Sequence, residues 1–298
     1  MNPRRSAIDH ILTLVGQSAL ADSLVLRGSV TMLAWAGSAA REPGDIDWVT
    51  RPVAVLPQER FWPYPYVDGP HRMRTDPETV HIRPRDELWA PDELDAEGFR
   101  PRLPPEGLHW LRQEEIEADG VHWDVVALIA ASPQTPDGVR LDAENVQVGN
   151  LSSYYAYSYG EDGGGGVRVT VPFEGCSVQL DFAYDEALPE PPVATAIPRA
   201  DGSLGAHWTA SPALSLAWKL QWLAAEGRDK DLYDAVLLAE LPGLQLSPRL
   251  RRLSGIAGVT PDEIRQWPIT DDTVLPGGAA RWLERLAVAL GRSIIDSP

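Results

Sequence analysis

Leu26-Arg27-Gly28-Ser29 is followed, after fifteen intervening residues, by Asp45-Ile46-Asp47. The apolar residues before Gly28 predict a short strand, and the apolar spacing over residues 30–39 predicts a helix after the turn. Residues 45–50 predict a second strand, in which both aspartates point to the same face because side chains alternate along a strand. This order of elements begins the half of the chain that we expect to mix strands and helices.

The chemistry of these residues suits a phosphate and a metal ion. Two neighbouring carboxylates repel each other and are most easily kept ionised by a divalent cation, and hard oxygen ligands favour Mg²⁺. Gly28 allows the backbone to approach a phosphate closely, and the amide groups that start the following helix favour an anion. Taken singly, the aspartate pair is typical of a solvated strand face, and Gly28-Ser29 of a turn and cap. Their order and spacing together favour a phosphoryl-transfer site.

The composition restricts the class of protein. A hydrophobic share of 44% predicts a globular core. The formal net charge of −17 argues against broad, nonspecific binding of nucleic acid. Local arginine clusters are compatible with solubilising surface charge or with a restricted RNA-contact patch. These clusters contain Arg249, Arg251, Arg252, Arg281, Arg285 and Arg292.

The single cysteine, Cys176, excludes an internal disulfide framework and favours a reducing, cytoplasmic setting. No stretch of the sequence reaches the roughly 18 apolar residues of a membrane-spanning helix. We therefore expect a cytoplasmic protein without a membrane partner.

Changes of composition along the chain predict its organisation. Residues 1–195 are expected to form an α+β core, with a mixed sheet and flanking helices, and residues 205–298 a C-terminal helical domain. An insertion at about 52–120 is rich in proline and tryptophan. Apolar alternation predicts strands within 151–184. The glycines at 163–166 predict a hairpin loop and not a P-loop, because no Lys-Ser/Thr pair follows them.

A third carboxylate could complete the metal site. In the strand predicted at 177–184, Asp181 points away from the apolar residues that alternate with it. Asp124 competes for the same role, and the apolar runs within 106–131 are compatible with strand or helix. The residues alone leave both candidates open.

A second informative stretch contains Lys219 and then Arg228-Asp229-Lys230-Asp231-Leu232-Tyr233-Asp234. Lys219 and Lys230 are the only lysines among 26 lysine and arginine residues. Apolar spacing predicts helices from residue 212 onward, the last over about 278–294. Asp231 and Asp234 are three residues apart, so they are expected on one side of a helix.

The first pattern, an apolar residue, Gly28-Ser29, a helix and Asp45-Ile46-Asp47, resembles that of the nucleotidyltransferase superfamily. The second stretch, together with Val178-Gln179-Leu180-Asp181, resembles the AbiEii/AbiGii toxin family, which includes the MenT-type toxins. The resemblance covers roughly residues 24–50 and 177–240.

The sequence departs from the family pattern at three places. Ser29 stands where glycine is frequent, Arg41-Glu42-Pro43-Gly44 replaces the usual Arg-x-Ser-x, and Trp218 stands where many members have glutamate. The first departure is allowed across the superfamily. The other two affect the prediction of the substrate more than that of the reaction type.

The resemblance implies a metal-dependent nucleotidyltransferase that moves NMP from an NTP to an acceptor hydroxyl, with Mg²⁺ or Mn²⁺ as cofactor. It implies that Asp181 completes the metal site or acts as base, and that Asp234 orients Lys219 or the nucleotide. The implied metal ligands are Asp45, Asp47 and Asp181. The implied catalytic residues are Asp45, Asp47, Asp181, Lys219 and Asp234. The implied nucleotide-binding residues are Gly28, Ser29, Lys219 and Arg228.

The resemblance also implies partners, namely an NTP, tRNA modified at its 3′ end, and a cognate antitoxin protein. Two other interpretations are compatible with the sequence. A small cationic acceptor, such as an antibiotic, would suit the acidic composition better than tRNA does. A nucleotide- or partner-binding protein without catalysis is the third interpretation, and the presence of all the implied site residues argues against it.

Overall fold

A computed structural model gives the structure of the chain and describes residues 2–50, 55–57, 108–110, 120–151, 166–184 and 188–295. The chain divides into two compact units. The first combines Met1–Thr50 with His122–Pro298, and the second is Arg51–Val121. The second unit covers nearly the same residues as the predicted proline- and tryptophan-rich insertion. Its described part is an antiparallel pair of short strands.

The strands of the described residues are β1 (Leu24–Arg27), β2 (Asp45–Thr50), β3 (Val55–Pro57), β4 (Leu108–Trp110), β5 (Gln147–Asn150), β6 (Gly166–Phe173), β7 (Cys176–Ala183), β8 (Val193–Pro198) and β9 (Leu204–Thr209). The helices are α1 (Pro3–Gly16), α2 (Ser29–Trp35), α3 (Val121–Ala131), α4 (Pro212–Glu226), α5 (Asp229–Ala239), α6 (Pro248–Leu253), α7 (Pro261–Ile264) and α8 (Ala279–Ile295). Short 3-10 helices occupy Ala19–Asp22 and Gly37–Ala39.

Seven strands of the first unit form one mixed sheet in the order β5-β6-β7-β2-β1-β9-β8. β2 pairs in parallel with β7 and antiparallel with β1, and β1 pairs in parallel with β9. The predicted α+β fold, with a mixed sheet, flanking helices and helices from residue 212 onward, is therefore confirmed.

The register of the central strands fixes the position of the carboxylates. Asp47 of β2 lies opposite Asp181 of β7 on one side and opposite Arg27 of β1 on the other. Arg168 of β6 lies opposite Asp181. Directly opposed residues on neighbouring strands have Cβ atoms about 4.5–5.5 Å apart. A row of four charged side chains therefore crosses the centre of the sheet.

The C-terminal helices pack on the face of the sheet that carries this row. Val25 and Val49 belong to the same face and are fully buried in one apolar cluster with side chains of α4 and α5. Burial of each such side chain contributes about 1.5–3 kcal/mol. On the opposite face, Trp48 stacks on Phe182 with ring centroids 5.2 Å apart. The apolar side chains of β2 thus anchor the strand on both faces, and this positions its two aspartates.

The structure also contains elements that the sequence pattern did not indicate. β8 and β9 extend the sheet beyond β1. Together they span the predicted division between residues 1–195 and 205–298. This division stays a prediction. The run at 121–129 is helical, as part of α3. The predicted strand at 153–159 and most of the glycine loop at 163–166 lie outside the described residues, and Gly166 begins β6.

Among the helices of the described residues, none combines the length and the apolar character that crossing a lipid bilayer requires.

Candidate active site

A cavity of about 180 Å³ is lined by residues of the central strands, by Lys219 and Trp222 of α4 and by the first turn of α5. Six of the residues that the sequence analysis proposed line it, namely Ser29, Asp45, Asp47, Asp181, Lys219 and Arg228. The two others are adjacent, since Gly28 faces Asp47 and Asp234 pairs with Lys219. The proposed residues, which come from distant parts of the chain, are therefore brought together.

Asp124 lies elsewhere. It is exposed on α3 and does not line the cavity. Asp181, in contrast, is 3% exposed and lies directly opposite Asp47 in the sheet. Of the two candidates for a third carboxylate, Asp181 is the one beside the aspartate pair.

Gly28 makes room for the carboxylate of Asp47. Its φ is +75°, and a Cβ at this position would lie 2.0 Å from Asp47 Oδ2. Glycine reaches this backbone conformation without steric cost, whereas other residues rarely adopt it. The next residue, Ser29, donates a hydrogen bond from Oγ to Asp45 Oδ1 at 3.2 Å. In the observed geometry, the Gly28-Ser29 turn thus positions both aspartates, and the predicted phosphate contact of this turn stays a prediction.

Asp45 and Asp47 form no ion pair with any cation among the described residues. Burial, together with the carboxylates of Asp45 and Asp181, raises the pKa of Asp47 to about 8, although Arg27 and Lys219 act to lower it. The folded chain by itself therefore favours a proton on Asp47 at neutral pH. A divalent cation at this position would replace that proton and relieve the repulsion.

Asp181 has a different environment. Both of its oxygens accept hydrogen bonds from Arg168, from Nε at 2.7 Å and from an Nη atom at 2.6 Å. Within the described residues, no three side chains of His, Cys, Asp or Glu are gathered closely enough to hold a metal ion. The predicted role of Asp181 as third metal ligand therefore stays a prediction.

The aspartate pair nevertheless fits Mg²⁺. Proteins commonly bind this ion through one or two carboxylates, and substrate phosphates and water complete its octahedral shell. Asp45 and Asp47 are two carboxylates on one strand face, and both line the cavity. The donor set present is thus of the kind that serves an ion shared with a phosphorylated substrate.

The opposite side of the cavity consists of a chain of buried ion pairs. Lys219 of α4 contacts Asp231 Oδ1 at 2.8 Å and Asp234 Oδ2 at 3.1 Å. Arg41 donates two hydrogen bonds to Asp234, at 3.1 and 2.9 Å, and Arg228 donates one to Asp231 at 2.8 Å. Positive and negative groups thus alternate over five residues, and each buried carboxylate has two cationic partners.

This chain determines the state of Lys219. Burial acts to lower its pKa, but the carboxylates of Asp231 and Asp234 raise it above the ordinary value. Lys219 is therefore held as a cation, yet its charge is already compensated by two neighbours. Its predicted contact with nucleotide phosphates stays a prediction, whereas its link to Asp234 is present in the structure.

The remaining residues of the second sequence stretch connect α5 to the strand side. Leu232 is fully buried in the apolar cluster. Tyr233 donates a hydrogen bond from its hydroxyl to the backbone oxygen of Ala39 at 2.7 Å. Together with the pair of Arg41 and Asp234, this bond ties the segment that precedes β2 to α5. The stretch therefore explains how the two sides of the cavity are held in register.

Three arginines at the site were not proposed from the sequence. Arg168 and Arg41 pair with Asp181 and Asp234, and Arg27 lies 5.2 and 5.4 Å from the ring centroids of Trp218 and Trp222. Arg27 is 1% exposed. A charged residue between Leu26 and Gly28 in an apolar strand is the signal that could have identified it. The alternation of arginine with valines before the strand of Asp181 is the corresponding signal for Arg168.

No protein-family model matches the sequence, and no curated protein matches it. Solved structures with a similar fold include MenT4, a nucleotidyltransferase toxin from Mycobacterium tuberculosis H37Rv, with a TM-score of 0.48 and 15% identity over 99% of this chain and 83% of that chain. They include a candidate nucleotidyltransferase from H. pylori, with a TM-score of 0.45 and 12% identity over 98% and 95%. JHP933 from Helicobacter pylori has a TM-score of 0.43 and 14% identity over 97% and 88%.

Proposed function

We propose that the protein is a metal-dependent nucleotidyltransferase of the AbiEii/AbiGii toxin type, which transfers NMP from an NTP to an acceptor hydroxyl. One observation carries the proposal. Asp45 and Asp47 line the cavity and form no ion pair with a described residue, while Arg41 and Lys219 across from them are fixed by other carboxylates. A pair of this kind is stable in its ionised form only with a cation from solution.

In this proposal Asp45 and Asp47 hold Mg²⁺ or Mn²⁺, which supplies a Lewis acid for the phosphates and lowers the pKa of the acceptor hydroxyl. The acceptor oxygen forms a bond to the α-phosphorus, and the bond from this phosphorus to the β-phosphate oxygen breaks. Pyrophosphate leaves with the electron pair of that bond. The residues of the chain bind the donor, orient the acceptor and receive the proton.

Asp181 is the carboxylate proposed to receive the acceptor proton. A carboxylate has about four lone-pair positions, and the forked contact from Arg168 uses one on each oxygen. Each oxygen therefore keeps a position that can accept a hydrogen bond from an acceptor hydroxyl. Arg168 holds the carboxylate in place.

The acceptor proposed from the motifs is the 3′ end of tRNA, and the protein partner proposed is a cognate antitoxin. A second candidate is a small cationic acceptor. The formal net charge of −17 favours it, because an acidic surface attracts cations and repels polyanions.

The test is a transfer assay with purified protein, Mg²⁺, each α-³²P-labelled NTP, and either total tRNA or a panel of small amines. We expect label in RNA from one or two NTPs and loss of that label in Asp47→Ala. Asp124→Ala is the matched control, because Asp124 is an exposed carboxylate outside the cavity.

Pyrophosphate release with amines but without labelled RNA would favour the small-molecule acceptor. Full activity of Asp47→Ala would contradict the proposal. Tight NTP binding without any transfer would identify a nucleotide-binding protein instead.

A further inference from the structure

Five cationic side chains line the cavity among the residues that the structure describes, and they differ in how their charge is used. Four of them pair with carboxylates of the protein. These four are Arg41, Arg168, Lys219 and Arg228. The fifth is Lys230, in the first turn of α5, and its ammonium group has no ion pair or hydrogen bond with any described residue. Lys230 is therefore the cation of this wall that is available to a ligand.

Lys219, in comparison, is poorly suited to leave its partners. Its side chain is 7% exposed and contacts Asp231 and Asp234, which are 1% and 0% exposed. Moving the ammonium toward a ligand would leave buried carboxylates with fewer partners, and an uncompensated buried charge is strongly destabilising. Lys219 therefore serves the internal ion-pair chain, although the sequence motif suggests a phosphate contact for it.

The ionisable groups of the cavity that form no ion pair have a distinctive composition. Within the described residues they are the carboxyl groups of Asp45 and Asp47 and the ammonium of Lys230. A divalent cation complements the first two, and an anion complements the third. A polyphosphate bound together with a divalent cation would carry both charges in one ligand, and Asp45 and Asp47 would hold the cation.

We infer that Lys230, and not Lys219, is the residue that binds the β- and γ-phosphates of the donor nucleotide. The inference rests on the proposed function and specifies which side chain performs the phosphate contact. A lysine ammonium is a compact point charge on a flexible stem, so it can follow the polyphosphate as pyrophosphate forms and leaves. The carboxylates across the cavity hold the metal end of the same ligand.

The test is isothermal titration calorimetry of the full chain with inorganic tripolyphosphate and Mg²⁺, which needs neither the correct base nor an acceptor. We expect Lys230→Gln to weaken binding about 10- to 100-fold, because a charge-assisted hydrogen bond is lost. Lys230→Arg should retain affinity within a few-fold. The matched control is Arg281→Gln, which removes one positive charge from an exposed position on α8, outside the cavity.

Two further readouts separate phosphate binding from a structural role. The thermal unfolding midpoint of Lys230→Gln should equal that of the wild type, because its ammonium has no partner among the described residues. The affinity for the four NMPs should change much less than that for tripolyphosphate. Equal losses for both ligands would overturn the assignment to the β- and γ-phosphates.

The failure of this inference can be told apart from the failure of the proposed function. Unchanged tripolyphosphate binding in Lys230→Gln, with NMP transfer by the wild type, would overturn the inference alone. Lys230-dependent binding without any transfer would support the inference and overturn the proposed reaction. Absence of tripolyphosphate binding by the wild type would overturn the inference directly.

Discussion

Asp47, on the strand side of the cavity, and Asp231, on the helix side, have pKa shifts in opposite directions. On the strand side, burial and the neighbouring carboxylates of Asp45 and Asp181 together raise the pKa of Asp47 to about 8. On the helix side, burial acts on Asp231 in the same direction, but Lys219 and Arg228 lower its pKa below the ordinary value. Burial alone therefore does not determine the charge of a carboxylate. The strand side needs a cation from solution, whereas the helix side supplies its own.

The largest expected effect tests the helix side. Asp234→Ala removes the shared partner of Arg41 and Lys219, and breaking a buried pair in this way typically costs about 3–5 kcal/mol. We expect the free energy of unfolding in urea to fall by that amount. The control is Asp262→Ala, because Asp262 is 86% exposed where it pairs with Arg265, and exposed pairs contribute about 0–1 kcal/mol. If both variants lost the same small free energy of unfolding, the conclusion that cations of the protein compensate the buried carboxylates of the helix side would be wrong.

The next effect tests the strand side through its glycine. Gly28→Ala combines a positive φ with a Cβ that would displace the carboxylate of Asp47, and such backbone strain costs about 1–3 kcal/mol. Gly175→Ala is a matched control, since its φ of +76° is similar but nothing lies within 4 Å of the added Cβ. Both variants should lose stability in urea, but only Gly28→Ala should lose the stabilisation by Mg²⁺. Normal Mg²⁺ stabilisation of Gly28→Ala would show that the position of Asp47 is not critical.

The smallest expected effect is the pH dependence of stability that arises from Asp47, on the strand side of the cavity. Because the folded pKa of Asp47 is about 8 and an unfolded aspartate has a pKa of about 3.9, folded Asp47 binds the extra proton between these values. Its contribution to stability therefore falls as the pH rises from about 4 to about 8 and is constant above that window.

Mg²⁺ must displace this proton, so the shift of the thermal unfolding midpoint by Mg²⁺ should grow from pH 6 to pH 8.5. The measurement is differential scanning fluorimetry at both pH values, with Asp47→Asn as the variant that cannot titrate. The same Mg²⁺ shift at both pH values in the wild type, or an equal increase in Asp47→Asn, would contradict the assignment to Asp47.

The sequence predicted secondary structure best where the local pattern of apolar residues is compatible with only one type of element. Alternation over residues 45–50 predicted β2 with its correct bounds, because one face of the strand is apolar and the other carries the aspartates. The helices after residue 212 followed from their apolar spacing. β8 and β9 were missed, because Val193–Pro198 and Leu204–Thr209 contain proline, glycine and alanine and have little apolar alternation. Their place in the sheet depends on pairing with each other and with β1.

The composition of the candidate site was predictable, but its internal pairing was not. The motifs identified acidic and basic residues that do line the cavity or lie beside it. Which cation meets which carboxylate depends on strand register and on the approach of α5, as in the pair of Arg168 and Asp181. Lys219 and Lys230 are the same type of residue, and only their burial and their contacts in the structure distinguish them.

The scarcity of lysine gives the cavity a practical property. Lysine ε-amines are the side chains that acylating reagents modify, and this chain has only two of them. Lys219 is shielded by burial and by its two carboxylate partners, whereas Lys230 opens into the cavity. Amine-directed acylation of side chains would therefore be concentrated at one position, in the wall of the cavity of the candidate site. The largest reagent that still modifies Lys230, identified from the mass of the modified chain, would then measure how accessible the cavity is.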